Sequence, residues 1–149
     1  MEKDRLLSLT YNDKLEFIFN NEHLDIFVND IDSSIRVEVA KQGYGLDKLI
    51  SDEDEEVRMM VAKQGYGLNI LINDNNSWVR ETVAKQGYGL EKLISDKDKY
   101  VRCEVAYQGY GLDILINDKD IDVREEVIWY CRKHQDKEEC KKILTLYNL

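Results

Sequence analysis

The stretch VAKQGYGL occupies Val39–Leu46 and recurs letter for letter at Val61–Leu68 and Val83–Leu90. A fourth copy, Val105–Leu112, reads VAYQGYGL, with Tyr107 in place of lysine. The copies start 22 residues apart. A fixed interval of this size marks a stacked-repeat chain, in which each unit buries its apolar face against its neighbours.

Working outward from the octet, the period extends well beyond it. Leu24, Leu46, Leu68, Leu90 and Leu112 keep step, as do Phe27, Leu49, Leu71, Leu93 and Leu115. Asp30, Asp52, Asp74, Asp96 and Asp118 form an acidic column, and Arg36, Arg58, Arg80, Arg102 and Arg124 a basic one. The pattern runs from about Asp13 to Trp129. Alternate units share GL(D/E)KLISD or GL(N/D)ILIND, which points to duplication of a two-unit block.

Each unit divides into a longer and a shorter helix. In SDEDEEVRMMVAKQG, Asp52 or Asp54 caps the start and acidic residues fill the first turn, where they suit the helix dipole. Val57, Val61 and Ala62 share one face at helical spacing. Gly65 ends the helix. GLNILIND then gives one or two turns of α or 3₁₀ helix through Leu68, Leu71 and Ile72. The expected fold is all-α: a superhelical solenoid of about five 22-residue repeats in one domain over 1–149. Residues 1–23 and 134–149 are its atypical caps and 24–133 its repeats. Phe17 stands where other units have valine, and Ile143, Leu144 and Leu146 are expected to close the last core layer.

The unit LISDEDEEVRMMVAKQGYGL (Leu49–Leu68) resembles the variant leucine-rich repeat and, more loosely, the HEAT repeat. The matching residues are the Leu49 and Asp52 columns, the Val57–Arg58 pair and the Val61–Ala62 pair, in the spacing Asp-x₄-Val-Arg-x₂-Val-Ala. The resemblance covers about five units and implies alternating α and 3₁₀ helices in a right-handed superhelix. It departs at the turns, where Gln-Gly and Tyr-Gly replace the Asn-Pro and Thr-Pro of variant repeats. HEAT-type chains also link neighbouring units through an aspartate and an arginine.

Repetition within one chain separates scaffold from surface. A position kept in every unit serves the stack; one that changes is free or tuned to a partner. The Asp52, Arg58, Asp74, Arg80, Asp96, Arg102, Asp118 and Arg124 columns read as an inter-repeat ladder of hydrogen-bonded ion pairs. Tyr44, Tyr66, Tyr88 and Tyr110 read as edge-packing residues. On a 100° helical wheel the variable positions gather opposite the constant ones. That outer face carries Met59, Met60, Trp78, Glu81, Thr82, Lys85, Tyr100, Cys103, Glu104, Tyr107 and Trp129. Exposed Trp, Tyr and Met anchor interfaces, and acids between them steer and select. Trp129 lies either on this face or beneath the C-terminal cap.

Composition narrows the function classes. The chain is 43% hydrophobic and 34% charged, enough for a core, with a net charge of -9. That balance disfavours general nucleic-acid binding and adhesion to anionic membranes. There is no apolar signal core or membrane-spanning run, and three cysteines make no disulfide scaffold. A cytoplasmic location is expected. DKDID (Asp118–Asp122) starts like a calcium loop but has Val123 and Trp129 where glycine and glutamate are required. Cys131, His134 and Cys140 supply three zinc-type ligands without a fourth. No catalytic constellation stands out.

The leading expectation is a non-catalytic protein-interaction module without cofactor or metal, binding a protein partner with a basic surface. The alternatives are a small acidic inhibitor of phage or mobile-element type that masks a basic site, and a HEAT-like lyase or glycosylase.

Overall fold

The computed structural model describes residues 2–148. Met1 and Leu149, the limits of the domain expected over 1–149, lie outside the described residues. Among the described residues every regular element is helical: thirteen α-helices and no strand. None is long and apolar enough to cross a membrane. The chain forms two compact units, Met1–Leu71 and Ile72–Leu149.

The first unit holds α1 (Glu2–Leu7), α2 (Tyr11–Phe19), α3 (Leu24–Phe27), α4 (Ser33–Lys41), α5 (Leu46–Leu49), α6 (Glu55–Lys63) and α7 (Leu68–Leu71). The second holds α8 (Ser77–Lys85), α9 (Leu90–Leu93), α10 (Lys99–Tyr107), α11 (Leu112–Leu115), α12 (Ile121–Lys133) and α13 (Glu138–Leu146). Long and four-residue helices alternate at the 22-residue interval. In the first unit α4 packs between α2 and α6; in the second α10 packs between α8 and α12, and α13 lies on α12.

The long helices start on a shared device. Asp32, Asp54, Asn76, Asp98 and Asp120 have extended backbone, and each side chain accepts the N–H of the second helical residue. Asp54, not Asp52, therefore caps α6. Its carboxyl lies below the usual carboxylate range, held there by hydrogen bonding to Ser33 against a smaller opposing effect of burial. The ends are as regular. After α8, Gly87 stands at φ 68, where a Cβ is strained, and its N–H reaches Ala84 O at 2.8 Å. The short helices are α-type and not purely 3₁₀: Leu93 N–H bonds Gly89 O and Ile94 N–H bonds Leu90 O.

The constant apolar columns form the cores. Ile35, Val39, Ala40, Val57, Val61 and Ala62 are fully buried in the first unit, with Ile18 and Phe27. Val79, Val83, Ala84, Val101, Val105, Ala106, Val123 and Val127 are the same in the second. Each such valine contributes about 1.5–3 kcal/mol of transfer free energy. Phe17 fills its valine position half-buried, with its ring 6.4 Å from that of Phe27 and edge-on to His23 at 5.3 Å.

The Asp and Arg columns meet across successive 22-residue units. Arg36 donates through Nε and Nη2 to Asp52, both at 2.7 Å. Arg80 grips Asp96 at 2.7 and 2.8 Å, and Arg102 grips Asp118 at 2.7 and 2.9 Å. The third nitrogen of each guanidinium serves its own unit: Arg80 Nη1 donates to Asp74 O at 2.8 Å and Arg102 Nη1 to Asp96 O at 2.7 Å. Arg58 and Arg124 make the same bond to Asp52 O and Asp118 O. The six-residue offset thus pairs guanidinium with carbonyl, and the carboxylate comes from 16 residues on. One more rung precedes the expected series. Lys14, in the arginine column, is buried and pairs with buried Asp30 at 2.7 Å.

The C-terminal cap differs from expectation in one residue. Ile143 is buried and Leu144 half-buried, but Leu146 is 76% exposed. α13 turns Cys140 inward instead, to lie fully buried like Cys131. Leu146 occupies the last turn of α13, beyond that contact. Tyr130 is buried with its ring stacked on His134 at 4.1 Å, and Lys137 Nζ donates to its hydroxyl.

Candidate partner-binding face

The face is built on α8, α10 and α12 of the second unit. Trp78 and Tyr100 are the second residues of α8 and α10, and their N–H groups are held by the caps Asn76 (2.8 Å) and Asp98 (2.9 Å). That grip anchors the start of each helix while the rings project: Trp78 is 58% and Tyr100 57% exposed. Seven residues on, two helical turns along the same side, stand Lys85 and Tyr107. Trp129 holds the next position of that column, 22 residues after Tyr107. Tyr107 is 52% and Trp129 42% exposed, and their rings stack at 5.7 Å with an interplanar angle of 18°. Trp129 therefore lies on the face and not beneath the cap. Lys99 sits 5.3 Å from the Tyr100 ring centre, and Lys133 5.0 Å from that of Trp129.

Between these rims lies a half-buried polar strip of Glu81, Cys103, Glu104 and Glu126. Glu81 pairs with Lys85 at 2.5 Å. Glu104 accepts from Gln108 at 2.8 Å. Burial raises its carboxyl above the usual range, opposed by Gln108 and Lys85. Burial also raises Glu126, with repulsion from Glu104 added. The Cys103 thiol is pushed up to about 11 by burial and then by Glu126, Asp122 and Asp120. With Cys131 and Cys140 buried, the folded chain should react slowly with a thiol reagent such as DTNB at pH 7.5, and unfolding should release all three thiols. A fast-reacting native thiol would contradict this surrounding of Cys103.

Other expected members fall elsewhere. Thr82, read as outward, is buried: its Oγ1 donates to Trp78 O at 2.8 Å, which satisfies the hydroxyl away from water. Met59 and Met60 are half-buried on α6, in the first unit. The tyrosines of the four octets are each exposed to nearly the same degree, as repeated edge positions would be. Sequence reasoning passed over Lys99 and Lys133. Lys133 was within reach as the residue one turn after Trp129.

The DKDID acids have partners of their own. Asp118 receives Arg102, Asp120 caps α12, and Asp122 pairs with Lys99. His134 Nδ1 lies 2.9 Å from Tyr130 O. Among the described residues no three His, Cys, Asp or Glu side chains converge as a metal set. A shallow cavity of about 540 Å³ on the outward side of α12 is lined by Glu125, Ile128, Trp129, Arg132 and Lys133, extending the aromatic face. No family model matches the chain, and neither the curated proteins nor the solved structures contain a match to it.

Proposed function

We propose that the chain is a non-catalytic protein-interaction module, a superhelical solenoid of about five short repeats akin to variant leucine-rich and HEAT-like repeats. It holds a protein partner through the variable face of its long helices. The observation that carries this reading is the exposure of four large aromatic rings, Trp78, Tyr100, Tyr107 and Trp129, on three helices of one compact unit. Such rings cost solubility and give little to the core, so their gathering on the variable positions favours a surface for contact. The constant columns supply the caps, valines and ladder, which leaves the variable columns to differ as a partner requires.

The double variant Trp78→Ala/Tyr100→Ala tests it. Its far-ultraviolet circular dichroism should match the parent, because both rings lie outside the core. Capture of a partner from a lysate of the native host, read by mass spectrometry, should fall by about 30-fold or more, in line with two interface anchors. Undiminished capture would remove this face from the function.

A further inference from the structure

We propose that the aromatic face of the second unit seats an arginine side chain, borne on a basic segment of the protein partner, between Tyr100 and the Tyr107–Trp129 stack. This deepens the binding reading and rests on it.

The rings already show an affinity for cations. Lys99 and Lys133 of the chain itself lie over Tyr100 and Trp129 at 5.3 and 5.0 Å. An ammonium over a ring face is attracted by the ring quadrupole, and a guanidinium adds planar stacking. The carboxylates supply the other half of such a site. Glu104 precedes Tyr107 by three residues, and Glu126 precedes Trp129 by three, so each acid and ring share a helical face. Among the described residues Glu126 has no hydrogen-bond or ion-pair partner, and Glu104 has only the Gln108 amide.

Three of the nearby cations are paired with carboxylates, and Lys133 lies over the Trp129 ring. From α8, Lys85 is held by Glu81; on α10, Lys99 is held by Asp122 with Asp120 beyond, and Arg102 by Asp118. Glu126 is thus an open acceptor on the face. An arginine can stack on a ring and donate to a neighbouring carboxylate at once, which a lysine ammonium does less well. The net charge of -9 would draw a basic segment in and turn a phosphate backbone away.

Glu126 and Glu104 both have carboxyls raised in the free protein, each by burial first. A bound cation favours their ionised forms, so binding releases protons where these carboxyls are partly protonated. Affinity should be full above the raised carboxyl range and fall as pH drops through it. Glu104 is acted on by Lys85 and Glu81 from α8, and Glu126 by Glu104; Cys103, on the same face, is acted on by Glu126, Asp122, Asp120 and Arg102.

The test is selection of a displayed random 12-residue peptide library on the intact chain, followed by titration of the enriched peptides. Trp129 emission in the Trp78→Phe background gives the readout, since the chain has only two tryptophans. Enriched peptides should carry arginine. Replacing that arginine by glutamine should weaken binding by about tenfold, the size of one good charge-assisted bond. Glu126→Gln should weaken it at least fivefold and leave circular dichroism unchanged, while Glu91→Gln on α9 should change nothing. Neutral peptides that need Tyr100 and Trp129 but ignore Glu126→Gln would overturn the arginine site and leave the binding face standing. Equal losses in Glu126→Gln and Glu91→Gln would reduce the effect to net charge and overturn it as well. No enrichment, or peptides indifferent to Tyr100 and Trp129, would overturn both.

Discussion

Arg80→Ala should lower stability by about 3–5 kcal/mol, the range for an ion pair broken on one side only. Arg80 is 5% exposed and makes two bonds to Asp96 and two to the carbonyls of Asp74 and Asn75. Alanine leaves a shielded carboxylate without its guanidinium partner and removes the donor from both carbonyls. A stability of about 5–15 kcal/mol is typical of a domain, so the loss is a large share. The melting temperature should fall by roughly 10 °C. Arg80→Lys should lose less, because Lys14 performs the same task against Asp30 with one bond. Urea unfolding of the two variants checks the order; a neutral Arg80→Ala would leave the ladder without energetic weight. Acid should act in the same direction. The Asp118 carboxyl is held below the usual range, chiefly by the hydrogen bond from Arg102. A lowered native value gives stability that is complete above the ordinary aspartate range and lost as pH falls through the lowered value.

The scaffold was readable in the sequence because repetition supplies its own control. Val57, Val61 and Ala62 stand at helical spacing, and the same three positions recur 22 residues on, so the face they bury follows from the period alone. The caps were readable to within two residues, since Asp52 and Asp54 are both suitable acids. Only backbone geometry shows that Asp54 caps while Asp52 takes the arginine. Lys14 stayed hidden because a column of arginines does not announce a lysine as its first member. Leu146 was misjudged because apolar residues near a chain end suggest closure, whereas the side chains that α13 buries are Cys140 and Ile143. At the candidate face, the positions of Trp78, Tyr100, Tyr107 and Trp129 were legible as variable columns. The Tyr107–Trp129 stack and the isolation of Glu126 were not, because both depend on rotamers across neighbouring helices.

Gly109→Ala should cost about 3 kcal/mol or more, whereas Gly87→Ala, in an almost identical backbone, should cost about 1–2 kcal/mol. Gly87 has φ 68 and Gly109 φ 74, so the left-handed strain of a Cβ is common to both. Their surroundings differ. Nothing lies within 4 Å of a Cβ built on Gly87. A Cβ on Gly109 would collide with Oη and Cζ of Tyr130 and lie 2.9 Å from its Cε2. A tyrosine ring yields less readily than a methyl group, and this one is doubly held. It stacks on His134 at 4.1 Å, and its hydroxyl accepts from Lys137 just before α13. To make room the ring must leave that stack or carry the end of α12 with it. The damage should therefore spread into the C-terminal cap: hydrogen exchange should rise in α13 and around Lys133–Lys137, while α8 keeps its protection. Tyr130→Phe removes the hydroxyl, the atom nearest the added methyl. Combined with Gly109→Ala, it should recover part of the loss, and the shortfall from additivity in that double-mutant cycle measures the collision itself. Equal costs for Gly87→Ala and Gly109→Ala would mean that backbone strain alone governs both turns and that Tyr130 does not press on the last of them.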